Sequence, residues 1–146
     1  DKNGNMKTIP SSQINFGYRK SPLDKDLIFL SASFKGEFKK KNKINKLTND
    51  LKKKKNLAQP TSLKTGGSTF KNPKDQTDQK VWELIRKSVP IDKKFGDAEI
   101  SKKHCNFFVN TKNASFNDMK NLIEFVKENV KAKTGINLET EIVIID

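Results

Sequence analysis

Apolar positions in this chain fall in a few short groups, separated by long stretches rich in lysine and asparagine. The clearest group is Phe116, Met119, Leu122, Ile123, Val126 and Val130, whose spacing predicts a helix over residues 116–133 with one apolar face. Ser115, with Asp118 three residues on, predicts a capping box, and Gly135 predicts the stop. Trp82, Leu84, Ile85 and Val89 predict a short helix that ends before Pro90. Ile44, Leu47 and Leu51 form a thinner stripe within the polar residues 35–56, which predicts a helix with its lysines turned outward. Strands are predicted at 27–34, at 106–110 around Phe107-Phe108-Val109, and at 141–145. Ile14 and Phe16 fit an earlier strand. Residues 58–73 read as loop, punctuated by Pro60, Gly66, Gly67 and Pro73. The sum is α+β, with no internal repeat and no βαβ alternation.

Asn3-Gly4 is a two-residue hairpin signal, yet only Asp1 and Lys2 precede it. The missing strand, together with a first residue that is not Met, predicts that the chain continues upstream. No run of about eighteen apolar residues is present, which excludes a membrane-spanning helix. The first six residues are polar and carry no signal-peptide core. Cys105 is the only cysteine, which rules out an internal disulfide and a Cys-rich zinc site, and the sequence predicts no metal centre.

The 146 residues suffice for one ordinary domain or part of a larger one. Their net charge of +13 raises the alternative of a basic nucleic-acid-binding module without catalysis. Against it, arginine occurs only at positions 19 and 86, whereas base and phosphate recognition favours the bidentate guanidinium. The densest run, from Lys39 to Lys41 and from Lys52 to Lys55, reads as a solvated helix face. The expected partners therefore include neither nucleic acid nor membrane.

There is no Walker loop, no GxGxxG, no nucleophile elbow and no metal-spaced histidine cluster. The informative segment is Lys64-Thr65-Gly66-Gly67-Ser68-Thr69-Phe70-Lys71-Asn72-Pro73. Paired glycines before a serine bring backbone close to a ligand and present a hydroxyl in a tight turn. By local chemistry alone, the segment reads first as a Gly-rich surface turn, and His104 as a structural residue.

The decapeptide is similar to the serine-bearing loop of UDP-N-acetylenolpyruvoylglucosamine reductases, also called UDP-N-acetylmuramate dehydrogenases. Phe16-Gly17-Tyr18-Arg19-Lys20-Ser21 resembles that family's FGYRxS segment, and Gln59-Pro60 its QP lead-in. The stretches 96–101 and 104–110, from Gly96 through His104-Cys105-Asn106-Phe107 to Asn110, resemble GxAxxSxxHxNFxxN. Ala114 and Asp118 fit the helix start that follows, and 138–142 resembles the terminal LExEV strand. These segments occur in the family's order over nearly the whole chain.

The resemblance implies the last strands of an FAD-binding domain followed by the α+β substrate-binding C-terminal domain. In residues, this is 1–58 for the end of the FAD-binding domain plus a connecting helix, and 59–146 for the substrate domain. It implies a bacterial cytoplasmic oxidoreductase of peptidoglycan precursor synthesis, with NADPH and FAD as cofactors and UDP-N-acetylglucosamine enolpyruvate as substrate. NADPH reduces the flavin, hydride passes to the enol carbon away from the carboxylate, and a proton completes the lactyl ether. Ser68 falls on the family's proton donor and Glu141 on its catalytic glutamate. Tyr18, Asn72 and His104 fall on substrate-contacting positions, and Gly66 and Gly67 would let the loop approach flavin and substrate. The partner arginine and most of the flavin site would lie in an N-terminal part upstream, so this chain alone is expected to be inactive.

Overall fold

The computed structural model describes residues 1–145, which form two compact units, Asp1–Lys40 and the chain from Lys41 onward. In the first unit, the Asp1 carboxylate accepts from the Asn3 and Asn5 N–H groups, at 2.9 Å each, and holds a turn with Gly4 at φ +83°. The predicted turn is therefore present, but no strands flank it. A single 3₁₀ turn, Ser11–Gln13, follows. Gly17 and Lys20 then exchange backbone hydrogen bonds across Tyr18-Arg19, with Arg19 in the left-handed region at φ +55°.

The strand expected at 27–34 is not formed. Ile28, Phe29, Leu30 and Phe34 are exposed, and the segment has no paired neighbour among the described residues. Apolar character marks a strand only where a partner edge takes up its backbone groups. Ile14 and Phe16 likewise lie outside any strand.

The second unit begins with α1 (Lys41–Ala58), in which no residue is buried. Its stripe of Ile44, Leu47 and Leu51 is half exposed, so the three residues mark a helix without joining the core. The core is built by β1 (Lys64–Ser68), α2 (Val81–Ser88), β2 (Lys94–Phe95), β3 (Ala98–Ile100), β4 (Phe107–Asn110) and α3 (Phe116–Thr134). The sheet is antiparallel throughout, in the order β1-β4-β3-β2. Leu84 and Ile85 of α2 and Leu122, Ile123, Val126 and Val130 of α3 pack against Ala98, Ile100 and Phe108. Phe70 and Phe108 meet edge to face, with centroids 5.7 Å apart.

The α3 cap is as expected. Asp118 N–H donates to Ser115 Oγ at 3.1 Å, the Asp118 carboxylate accepts from Ser115 N–H at 2.8 Å, and Gly135 ends the helix at φ +73°. Those hydrogen bonds hold the Asp118 carboxyl below its ordinary pKa.

The stretch 58–73 is not all loop, because β1 occupies its middle. Its Gly-Gly pair serves a β-bulge. Thr65 pairs with Val109 and Ser68 with Phe107, so Gly66 and Gly67 together face the single residue Phe108. Gly67 takes φ +93°, which the extra residue demands and a side chain would oppose. The Thr65 hydroxyl donates to Phe108 O at 2.8 Å and accepts from Gly67 N–H at 3.2 Å, satisfying groups that the bulge leaves out of the ladder.

Candidate active site

Ser68 is the last residue of β1, immediately after the bulge, and is partly buried. Beyond it, the backbone is gripped from two sides. On one side, Asn106 bonds the chain three times. Its carbonyl accepts from Thr69 N–H at 2.7 Å, its side-chain Oδ1 from Phe70 N–H at 2.9 Å, and its Nδ2 donates to Phe70 O at 2.8 Å. On the other side runs the C-terminal segment. Lys71 N–H donates to Glu139 O at 2.9 Å, Phe70 faces Thr140 in an antiparallel bridge, and Glu141 N–H donates to Thr69 O at 2.8 Å.

One cross-chain hydrogen bond thus joins Glu141 to the residue after Ser68, across more than seventy positions of sequence. The pairing goes no further: the strand expected at 141–145 amounts to this bridge and its two hydrogen bonds. β1 is an edge strand whose outer side takes no ladder partner among the described residues, so residues 142–145 run past it unpaired. At Gly66, an added β-carbon would stand 3.5 Å from Ile142 Cγ2. At Gly67 it would meet nothing within 4 Å, so that side of the loop is open.

The other expected site residues are distributed as follows. Asn72 lies four residues beyond Ser68, where its Oδ1 accepts from Val81 N–H at 3.0 Å. It thereby satisfies a free donor of the first turn of α2. His104 is in the β3–β4 loop, two residues before Asn106, and its Nδ1 accepts from Asn106 N–H at 3.2 Å. Its ring stands edge to face with Phe107, with centroids 5.0 Å apart. Burial pushes the imidazole pKa down. With Nδ1 accepting, the neutral ring carries its proton on Nε2. Tyr18 belongs to the first unit, on the Gly17–Lys20 turn, with the Arg19 guanidinium 5.7 Å from its ring centroid.

Asn106 is a positioning residue that reasoning from sequence did not single out. Its signal was a buried amide at the head of an apolar strand. Beside His104, a cleft of about 250 Å³ opens between α2 and the β3–β4 loop. Among the described residues, no three His, Cys, Asp or Glu side chains gather as metal ligands, and no helix is long and apolar enough to cross a membrane.

A small antiparallel sheet backed by two helices, with a glycine bulge presenting a serine beside the C-terminal segment, defines an α+β domain with a built loop. Residues 59–145 match the family model described as UDP-N-acetylenolpyruvoylglucosamine reductase, C-terminal domain, and the chain belongs to that family. It is 65% identical over 145 residues to a UDP-N-acetylenolpyruvoylglucosamine reductase of Pelagibacter ubique (strain HTCC1062), covering 99% of this chain and 48% of that protein. A relative of the same name from Rhodopseudomonas palustris (strain BisB5) is 41% identical over 142 residues, with 97% and 45% covered. Among solved structures, UDP-N-acetylenolpyruvylglucosamine reductase from Thermus caldophilus superposes with a TM-score of 0.70 at 30% identity. That likeness covers 89% of this chain and 45% of the other. The chain spans about half the length of the curated relatives it matches.

Proposed function

We propose that this chain supplies the proton-donating and substrate-binding part of an NADPH-using flavoenzyme, which reduces UDP-N-acetylglucosamine enolpyruvate to UDP-N-acetylmuramate. The observation that carries the reading is the pairing of the Ser68 segment with the Glu141 segment, within a chain whose relatives bear the reductase name. The reaction belongs to cell-wall precursor synthesis in the bacterial cytoplasm. Residues 1–58 end the flavin-binding domain and 59–146 form the substrate domain. The rest of the flavin site, and the arginine that partners Glu141, belong to the half of the enzyme that this chain does not span.

Bound FAD, recharged by NADPH, supplies hydride to the terminal enol carbon. The Gly66-Gly67 pair suits the approach of a flat ring at Gly67, where the space a β-carbon would fill is open. Ser68 then protonates the adjacent carbon, and the cost of an alkoxide at a serine is lowered by a site that stabilises it or returns a proton promptly. Glu141 acts at the substrate carboxylate, where it must be protonated or paired, because two bare carboxylates repel. Asn72 contacts the nucleotide part of the substrate, and Tyr18 and His104 fall on further substrate-contacting positions.

The test is a chimera in which this chain replaces the matching half of the Pelagibacter relative. It should oxidise NADPH in the presence of the enolpyruvyl substrate, whereas the 146-residue chain alone should not and should hold FAD weakly. In the chimera, Ser68→Ala should leave flavin reduction by NADPH intact and slow its reoxidation by substrate at least a hundredfold, an order-of-magnitude figure for a lost general acid. Reoxidation at the unsubstituted rate would remove Ser68 from the mechanism, and turnover by the isolated chain would overturn the division of labour.

A further inference from the structure

The C-terminal segment meets the Ser68 segment in a short antiparallel ladder whose register can be followed past its last bond. Thr69 stands opposite Glu141, Phe70 opposite Thr140 and Lys71 opposite Glu139. Carried two residues further, the same register puts Pro73 opposite Asn137, where an antiparallel pair would exchange both of its backbone hydrogen bonds. Pro73 can make neither. It has no N–H, and its carbonyl already accepts from Gln76 N–H at 3.0 Å and from Thr77 N–H at 2.9 Å. The Gln76 side chain fills both places. Its Nε2 donates to Asn137 O at 2.9 Å, and its Oε1 accepts from Asn137 N–H at 2.9 Å. The carboxamide thus stands in for the backbone groups that residue 73 lacks or has spent. The turn that carries it is fixed by the buried Pro73 and by Asn72, bonded to the first turn of α2.

We infer that Gln76 is a positioning residue for Glu141: by acting as the strand partner that Pro73 cannot be, it sets the register in which Glu141 meets the Ser68 segment. This role deepens the proposed reductase reading and rests on it. Glu141 lies four residues past Asn137, and its backbone is held by the hydrogen bond to Thr69 O at 2.8 Å. A ladder this short opens readily unless its other end is tied down. At that end Leu138, 6% exposed, presses the segment onto the core, but an apolar contact is non-directional and does not choose a register. The Lys71–Glu139 ion pair is weakened by solvent, because the Glu139 side chain is largely exposed. The Gln76 amide bonds fix a donor and an acceptor at once. A slip of one residue would break both and carry Glu141 to the opposite face of the ladder.

Two measurements separate the tether from the chemistry. In the 146-residue chain, Gln76→Met should speed hydrogen exchange at the Glu141 amide about tenfold, as expected for two lost hydrogen bonds of ordinary net strength. Exchange at the Val126 amide, in the core of α3, should not change. In the chimera, Gln76→Met should leave flavin reduction by NADPH unchanged and slow reoxidation by the enolpyruvyl substrate about tenfold. Glu141→Gln should itself slow that step at least about tenfold. Adding Gln76→Met to it should cost less than about twofold more, because a residue that acts through Glu141 then has nothing left to position. Gln79→Met should change neither measurement, since the Gln79 carboxamide meets the Lys87 ammonium instead. Urea midpoints check folding, and Gln76→Ala removes the same two bonds should the Met variant unfold. Unchanged exchange at Glu141, or slowing of equal size in both backgrounds, overturns the proposal. Reoxidation of Glu141→Gln at the unsubstituted rate overturns the underlying role of Glu141, and the proposal with it, even where the exchange responds.

Discussion

Removing the Asn106 carboxamide should cost more stability than any change at an exposed polar residue. Asn106 is 4% exposed and Phe70 1%, so water does not reach the groups that the amide serves. Asn106→Ala leaves Phe70 N–H without its acceptor at 2.9 Å and Phe70 C=O without its donor at 2.8 Å. Neither can turn to the C-terminal segment, because the bridge to Thr140 places the ladder hydrogen bonds on residues 69 and 71. Each of the two orphaned groups costs about 1–3 kcal/mol, giving a loss of roughly 2–6 kcal/mol. That is a large share of the 5–15 kcal/mol or so that holds a domain together. With a urea dependence of about 1.5 kcal/mol per molar, the unfolding midpoint should fall by roughly 1.3–4 M at constant slope. Asn121→Ala, exposed on α3 with no side-chain partner among the described residues, should lower stability by less than about 0.5 kcal/mol. Asn106→Asp keeps the acceptor but sets a carboxylate against Phe70 C=O, so acidification should restore part of its stability by returning a donor. A fall of under about 0.5 M in Asn106→Ala would mean that both Phe70 groups find other partners, and the clamp argument would be wrong.

Three further outcomes follow from other parts of the second unit. Gly96→Ala should destabilise by roughly 2 kcal/mol in thermal or urea unfolding. Gly96 sits at φ +53°, and a β-carbon would stand 2.6 Å from an Asp118 oxygen already fixed by Ser115. Ser115→Ala should cost about 1 kcal/mol by loss of the α3 cap, and Ser115→Asn should recover most of it. The one histidine gives one imidazole NMR titration, and its midpoint should lie below the ordinary value because burial disfavours the charged ring. The sign for stability follows: the unfolded chain binds the proton more readily, so the His104 contribution is intact above the unfolded pKa and lost as pH falls through the folded one. His104→Gln should flatten that slope, and a midpoint at or above the free value would contradict the burial.

The elements that local pattern revealed are those whose partners are local. α3 shows its apolar face, its Ser115 cap and its Gly135 stop within one stretch, and α2 shows its end at Pro90. What pattern missed depended on distant pairing. β1 reads Lys-Thr-Gly-Gly-Ser, a turn by composition, and becomes a strand only because β4 lies beside it and the glycines absorb a bulge. β2 and β3 are two and three residues long, too short for periodicity, and only Gly96-Asp97 between them hinted at a hairpin. The strands expected at 27–34 and 141–145 fail for the converse reason, since apolar residues were present and a matching edge was not. The Ser68 and Glu141 segments were singled out only through motif resemblance, while Asn106 needed coordinates because its hydrogen bonds reach across the fold.

The bulge and the clamp answer the same physical problem. Two adjacent glycines are the most permissive backbone the chain has, and a hydroxyl placed after them would ordinarily wander. Here the Thr65 hydroxyl pins the bulge before Ser68, while Asn106 and the Glu139–Glu141 backbone pin the chain after it. The segment keeps the close approach that missing side chains allow and loses the freedom that would blur its geometry. In the proposed reading, proton delivery to one carbon face needs both, because a general acid acts only within hydrogen-bond reach of its target. Loosening either clamp should therefore lower turnover in the chimera without touching the hydroxyl itself. The double-mutant cycle of Thr65→Val with Asn106→Ala would show whether the two act on one element: coupling beyond about 0.5 kcal/mol means that they do, and strict additivity means that they do not.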